Sequence, residues 1–121
     1  MRLATLLLML PDLAEARRFY GEVLGFPVLR ESAEMLVLEH PGANLHIFRC
    51  AGPAPDAGHG DAAAQVFVFE VEDIEAAMRD LRGKGVVFLH AEPARNAFGL
   101  YAAFQAPGGL VHEIFETLPA P

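Results

Sequence analysis

The sequence predicts an α+β fold in which two pseudo-symmetric βαβββ modules form a curved mixed sheet with a cleft. The main observation is an internal repeat, because residues 10–16 (LPDLAEA) reappear as residues 71–77 (VEDIEAA). A second pair of similar segments ends in Ile-Phe in both copies and sets His46 opposite Glu113. Each copy also contains one helical pattern and four strand patterns. A repeat of this kind marks one supersecondary unit that occurs twice.

The length and composition describe one folded domain. The chain has 121 residues, of which 53% are hydrophobic. This content is enough for a hydrophobic core and too high for a disordered chain. The single domain, residues 1–121, divides into module one at 1–50, a linker at 51–63 and module two at 64–121.

The charge and the apolar pattern exclude several classes of partner. The net charge is −7, so we expect neither nucleic acid nor an anionic membrane surface as a partner. No stretch approaches the roughly 20 apolar residues of a membrane span. The apolar run at 6–10 is too short for the core of a secretory signal. Because the one cysteine, Cys50, cannot form an intramolecular disulfide, we expect a cytoplasmic protein.

Module one begins with a buried strand, since residues 3–10 form a short unbroken apolar run. A helix follows, because Asp12 and Glu15 have the spacing of a capping box and apolar residues then recur at helical intervals. Gly25 is predicted to end this helix. Three further strands complete the module, at 27–31, 34–40 and 44–50.

Module two repeats this order after the linker, whose Gly-, Ala- and Pro-rich sequence has no periodicity. A β-rich run at 66–71 opens the module, and Asp73 caps a second helix with one apolar stripe. Gly83 or Gly85 ends that helix. The remaining strands are expected near 86–90, 98–105 and 110–116.

Three segments resemble the vicinal oxygen chelate superfamily, a group that includes glyoxalase I, bleomycin-resistance proteins, fosfomycin-resistance enzymes and extradiol dioxygenases. They are residues 10–13 (LPDL), 19–26 (FYGEVLGF) and 106–114 (APGGLVHEI). Together with the repeat, the resemblance covers essentially the whole chain. One departure is Ala106, where members of the family often carry Asp. The resemblance implies the paired βαβββ fold.

The resemblance also implies where a metal would bind, because the family's metal ligands come from the first and last strands of each module. Those positions are Thr5 and Val66 in the first strands, and His46 and Glu113 in the last strands. Divalent transition metals need several imidazole or carboxylate ligands. We therefore expect no firmly bound metal, and the alternative is a weak divalent metal site at His46 and Glu113.

The function implied by the resemblance is that of a small-molecule-binding protein of the glyoxalase/bleomycin-resistance type, without a firmly bound metal. The alternative is a metal-dependent lyase, isomerase or dioxygenase of the glyoxalase type, in which a metal would hold two vicinal oxygens of the substrate. A homodimer is also expected, because two helices cover little of eight strands and cyclic dimers are the commonest oligomers.

Strand parity predicts which side chains face the cleft. Alternation puts His46 and Phe48 on one face of their strand, and it turns His112 away from Glu113. Glu113 has two interpretations: a buried carboxylate with a structural partner, or a catalytic group, either a metal ligand or a general base whose pKa burial raises. His46 is open between a structural and a ligand-contacting role. The residues expected to line the cleft are Thr5, His46, Phe48, Val66, Tyr101 and Glu113.

Overall fold

The computed structural model describes Met1, residues 3–52 and residues 65–119. Most of the predicted linker, 53–63, therefore lies outside the described residues. The chain forms two compact units, unit 1 at Met1–Pro55 and unit 2 at Asp56–Pro121. No helix among the described residues is long and apolar enough to span a membrane.

Unit 1 contains a four-stranded mixed sheet with one helical segment. Its strands are β1 (Thr5–Leu10), β2 (Val28–Glu31), β3 (Met35–Leu38) and β4 (Asn44–Arg49). The order across the sheet is β1-β4-β3-β2. β1 runs parallel to β4, and β3 runs antiparallel to both β4 and β2.

The helical segment of unit 1 differs from the regular helix that the sequence predicts. A single α-helical turn, α1 (Leu13–Ala16), continues as a π-helix at Arg17–Val23. The Asp12 side chain caps α1 by accepting a hydrogen bond from the Glu15 N–H, as expected. The wider π turn accompanies two adjacent buried rings that pack edge to face, Phe19 and Tyr20. The segment ends before Gly25, which has a positive φ of 82°.

The core of unit 1 lies between this helical segment and one face of the sheet. Alternate residues of β1, β3 and β4 are buried there, and the burial follows the predicted parity of β4. The strand residues of this core are Leu8, Leu10, Leu36, Leu38, Leu45 and Ile47.

Unit 2 repeats the arrangement. Its strands are β5 (Val68–Glu70), β6 (Ala94–Arg95), β7 (Gly99–Gln105) and β8 (Val111–Thr117), in the order β5-β8-β7-β6. β5 is parallel to β8, and the other pairs are antiparallel. The α+β fold class with two βαβββ modules is therefore confirmed, and the eight strands hydrogen-bond as two four-stranded mixed sheets.

The helix of unit 2 is a regular α-helix, α2 (Ile74–Gly83). Its N-terminus is capped twice, because Asp73 accepts the Ala76 N–H and the Glu116 carboxylate of β8 accepts the Ile74 N–H at 2.9 Å. One apolar side of α2 packs on the sheet through the buried residues Ile74, Met78 and Leu81.

The strand expected at 86–90 was predicted wrongly. Only an isolated bridge joins Phe88 to Phe104 of β7, and the edge strand of the sheet is β6 instead. The Arg82 guanidinium explains the early end of this pairing, because it holds the carbonyls of His90 and Ala91 at 2.9 and 3.0 Å. These two carbonyls are thereby tied to α2.

The strand registers confirm the internal repeat at the level of single residues. In unit 1, Leu7 of β1 pairs with His46 of β4. In unit 2, Val68 of β5 pairs with Glu113 of β8. His46 and Glu113 therefore occupy equivalent positions in the two sheets, as the sequence alignment predicts.

Candidate ligand-binding site

The candidate site of unit 2 is built on the turn that joins β6 to β7, here called the Asn96 turn (residues 96–99). The Asn96 N–H donates to the Gly99 carbonyl at 2.9 Å. The Asn96 side-chain oxygen accepts hydrogen bonds from the N–H groups of Phe98 and Gly99, at 2.8 and 3.0 Å. These bonds fix the turn locally and leave Phe98 76% exposed.

A glycine at the end of this turn lets β7 approach β8 closely. A Cβ atom at Gly99 would collide with the carbonyl oxygen of Glu116 and would lie 3.0 Å from the Phe115 ring. Gly99 pairs with Thr117 in the sheet, so β7 and β8 stay paired up to the turn. The absence of a side chain at Gly99 also leaves space beside Phe115.

A cavity of about 740 Å³ lies beside the Asn96 turn. Residues 95–99 form one wall, and Phe115 and the C-terminal segment 117–119 form the rest. The lining combines two phenyl rings with the guanidinium of Arg95, the amide of Asn96 and the hydroxyl of Thr117. That hydroxyl donates weakly to the Glu70 carboxylate, at 3.5 Å.

The corresponding turn of unit 1, here called the Ser32 turn (residues 32–35), has the same hydrogen bonds but different surroundings. The Ser32 N–H donates to the Met35 carbonyl, and the Ser32 hydroxyl accepts the N–H groups of Glu34 and Met35. Arg49 closes this turn, because its guanidinium contacts both carboxylate oxygens of Glu34 at 3.1 and 3.2 Å and donates to the Ala33 carbonyl.

Two of the predicted site residues of unit 2 share the sheet face that carries Phe115. Tyr101 pairs directly with Phe115 across the strands, and Glu113 lies two residues before it on β8. Both are half-buried. Val66 is half-buried and lies two residues before β5, outside the strand.

The predicted site residues of unit 1 also share one face of their sheet. Leu7 and Val37 flank His46 on the neighbouring strands. Parity places Thr5 and Phe48 on the same face, with Thr5 exposed and Phe48 half-buried. The structure thus groups the six predicted residues as two sets, one in each unit.

The residues paired with His46 and Glu113 within each sheet add no metal donor. Within its own sheet His46 lies between Leu7 and Val37, and Glu113 lies between Val68 and Ala103. None of these four neighbours is a metal donor. Among the described residues, no group of three or more His, Cys, Asp or Glu side chains could hold a metal ion.

The buried histidine of unit 2 belongs to the core, in agreement with strand parity. His112 is 2% exposed, stacks on Phe67 with ring centroids 5.0 Å apart, and meets Phe69 and Phe104 edge-on. Burial lowers the pKa of His112 to about 4, although a hydrogen bond to the Val111 backbone opposes part of this effect. The ring is therefore neutral near pH 7.

Sequence reasoning missed the residues of the Asn96 turn. The stretch Arg95-Asn96-Ala97-Phe98-Gly99 contains a usable signal, since Asn and Gly three positions apart favour a tight turn. A phenylalanine inside such a turn has no strand or helix face to bury it. Reading the stretch as a turn with an exposed ring would have identified Phe98.

Comparison with known proteins identifies the family. The family model described as the Glyoxalase/Bleomycin resistance protein/Dioxygenase superfamily matches residues 2–114. No curated protein matches the chain significantly.

Solved structures with the same fold include proteins of different activity. The chain is similar to a glyoxalase family protein from Enterococcus faecalis, with 25% identity, a TM-score of 0.79 and coverage of 95% of this chain and 97% of that one. It shares its fold with TnmS3, an antibiotic-binding protein from a Streptomyces species, with 18% identity, a TM-score of 0.77 and coverage of 98% and 97%.

An oxidase, ChaP-H2, shares the fold as well, with 21% identity, a TM-score of 0.76 and coverage of 98% of this chain and 94% of that one. The fold alone therefore does not choose between binding and catalysis. With its family model matched over nearly the whole length, the chain belongs to the glyoxalase/bleomycin resistance protein/dioxygenase superfamily.

Proposed function

We propose that this protein binds a small organic molecule in the cavity beside the Asn96 turn. The observation that carries the proposal is the cavity itself, whose volume of about 740 Å³ lies within the roughly 300–1,000 Å³ of typical ligand pockets. Its lining also has the usual character of such pockets, with aromatic walls and a few polar groups that fix orientation.

The proposed ligand-binding face extends from the cavity along β8. Phe115 lines the cavity, and its neighbours on the same face are Tyr101 and Glu113. We assign Glu113 the role of hydrogen-bond acceptor for the ligand, so Glu113→Gln should weaken ligands that donate a hydrogen bond there. The same variant should leave the free energy of unfolding nearly unchanged, because the side chain is half-buried and the replacement has the same shape.

We further propose that the protein works without a firmly bound metal. The apolar neighbours of His46 and Glu113 within each sheet support this proposal. Elemental analysis of protein purified without added metal should find no stoichiometric nickel, zinc, manganese or iron. A stoichiometric metal that His46→Ala and Glu113→Ala both release would favour the metal-dependent lyase, isomerase or dioxygenase instead.

A homodimer is the proposed assembly. Leu7 and Met9 support it, since these apolar side chains of the edge strand β1 are 54% and 44% exposed in the isolated chain. Sedimentation at micromolar concentration should give twice the mass of one chain. A monomer under those conditions would contradict this part of the proposal.

The binding proposal is tested by filling the cavity. Ala97 lines it and is exposed, so Ala97→Trp should block the space at little cost in stability. Ala33 is the matched control, because it holds the same place in the Ser32 turn. We expect ligands found in a small-molecule screen to lose at least about tenfold in affinity in Ala97→Trp and to keep it in Ala33→Trp.

Ligands that bind Ala97→Trp and Ala33→Trp with the affinity of the wild type would show that the cavity is not the binding site.

A further inference from the structure

The described lining of the cavity carries one kind of charge, and the Glu113 carboxylate lies outside this lining on the adjoining face of β8. Arg95 is its single charged side chain among the described lining residues, in a chain with 16 acidic and 9 basic residues. Glu116, which lies between Phe115 and Thr117 on β8, belongs to the opposite face and caps α2. The Glu70 carboxylate accepts a long hydrogen bond from the hydroxyl of Thr117, at 3.5 Å.

Arg95 also differs from its counterpart in unit 1, which is held in an ion pair. Glu31 precedes the Ser32 turn as Arg95 precedes the Asn96 turn, and Glu31 accepts a hydrogen bond from Arg17 at 2.8 Å. Among the described residues, no carboxylate forms an ion pair with Arg95. Its planar guanidinium is therefore available to hold a carboxylate through two parallel hydrogen bonds.

The Asn96 side chain adds hydrogen-bond donors to this wall. Its oxygen accepts the N–H groups of Phe98 and Gly99, so the amide nitrogen is the atom left for a ligand. An amide nitrogen only donates. Arg95 and Asn96 together therefore suit a ligand group that accepts hydrogen bonds.

The aromatic side chains define the other part of the ligand. Phe98 is 76% exposed on a turn whose backbone is held by Asn96, and Phe115 also lines the cavity. Covering an exposed phenyl ring with an aromatic ring is favourable through both apolar burial and ring–ring contact. A turn that is already fixed adds little ordering cost on binding.

We propose that the cavity selects a planar aromatic molecule with one negative charge, whose ring packs on Phe98 and Phe115 and whose anionic group binds Arg95. This inference rests on the proposed function, because it names the chemical class of the ligand for the same cavity. The net charge of −7 would by itself favour a cation, so the local charge of the lining and the charge of the whole chain make opposite predictions.

Three naphthalene probes of the same size and different charge test the inference. They are naphthoate, which is anionic, naphthylmethanol, which is neutral, and naphthylmethylammonium, which is cationic. The chain has no tryptophan, so naphthalene fluorescence anisotropy reports binding to the wild type and the arginine variants without an indole background, and isothermal titration calorimetry measures binding to Ala97→Trp. We expect naphthoate to bind at least about tenfold more tightly than naphthylmethanol, and the cation to bind most weakly.

Arginine variants then locate the source of the preference. Arg95→Gln should lower the affinity for naphthoate to that of naphthylmethanol, and it should leave naphthylmethanol unchanged. Arg30→Gln is the control, because Arg30 is an exposed arginine of β2 and its loss changes the net charge equally. It should preserve the preference for the anion.

The outcomes separate the two proposals. If all three probes bind alike and Ala97→Trp abolishes binding, the charge inference fails and the proposed function stands. A preference for naphthoate that Arg95→Gln does not reduce also overturns the charge inference. If no probe binds the wild type at millimolar concentration, or if Ala97→Trp has no effect on binding, both proposals fail.

Discussion

The Ser32 turn and the Asn96 turn share one hydrogen-bonding pattern and differ in what surrounds it. In both, a side-chain oxygen accepts two backbone N–H groups at the start of the second strand of a hairpin. Arg49 and Glu34 close the first turn, whereas Phe98 and Gly99 leave the second turn beside a cavity. A repeated backbone can thus keep its hydrogen bonds while the side chains around it differ between the two copies.

A second difference lies in the cores of the two units. Leu45 and His112 precede the equivalent residues His46 and Glu113, and both are almost completely buried. Unit 1 fills the position with an aliphatic side chain, and unit 2 fills it with an imidazole ring among three phenylalanines. The repeat therefore preserves burial but not polarity at this position.

The largest expected effect is on the free energy of unfolding at acid pH, when His112 of unit 2 is replaced by the leucine that unit 1 has at the equivalent position. The pKa of His112 is lowered by burial to about 4, below the value of roughly 6.5 in an unfolded chain. The unfolded state consequently binds more protons between these values, and the free energy of unfolding should fall by on the order of 3 kcal/mol as the pH drops through this window. His112→Leu should remove this part of the acid sensitivity.

The measurement is urea unfolding of the wild type and His112→Leu between pH 4 and pH 8. Above pH 7 His112 is neutral in both states, so the difference between the two proteins should stay constant there. Parallel curves over the whole range would contradict the account of the unit 2 core.

The next largest effect is expected at the closest approach of β7 and β8. Gly99→Ala places a Cβ against the Glu116 carbonyl oxygen and should lower the free energy of unfolding by about 1–3 kcal/mol. Gly83→Ala is the control, because a Cβ there has no atom within 4 Å and φ is not positive. It should be neutral or slightly stabilising. Equal stabilities of the two variants in chemical denaturation would count against the described packing.

A smaller effect is expected when the Asn96 turn is given the side chain of the Ser32 turn. Phe98→Glu removes the exposed ring and adds a carboxylate beside the cavity. Affinity for naphthylmethanol should fall about tenfold, which corresponds to about 1.4 kcal/mol. The free energy of unfolding should change by less than about 0.5 kcal/mol, since the residue is exposed. Unchanged affinity in a titration would remove Phe98 from the site.

The smallest effect concerns the contact that closes the Ser32 turn. Arg49 and Glu34 are 50% and 69% exposed in their side chains, so Arg49→Gln should cost only about 0.2–1 kcal/mol. This loss should shrink in concentrated salt, because exposed ion pairs are screened. Thermal unfolding at low and high salt measures both quantities, and a loss above about 2 kcal/mol would show that the contact is more than a surface ion pair.

Much of the fold could be predicted because it depends on local patterns. The two Asp caps, the alternation in β4 and the repeat offset at His46 and Glu113 are all visible in the sequence. The π-helix at Arg17–Val23 and the failed strand at 86–90 depend on contacts between distant residues, such as Arg82 with the carbonyls of His90 and Ala91. Periodicity does not contain that information.

The site was less accessible to sequence reasoning for a related reason. Parity placed His46 and Phe48 on one face of β4 and turned His112 away from Glu113, because a sheet face follows from alternation. The cavity depends instead on the missing side chain at Gly99 and the exposed ring of Phe98. The effect of these two residues follows from the pairing of β7 with β8, which the sequence pattern does not show. Whether the six predicted residues contact a ligand stays a prediction.

The most direct test of the central claim is to map bound naphthoate on the backbone amides by two-dimensional NMR. The account predicts chemical-shift changes concentrated at residues 95–99 and 115–119, with the Ser32 turn at 32–35 unaffected. The Ser32 turn is the internal control, since it has the same hydrogen bonds and its Glu34 and Ala33 are held by Arg49. Equal changes at both turns, or changes confined to unit 1, would contradict the claim that only the second copy of the turn binds a ligand.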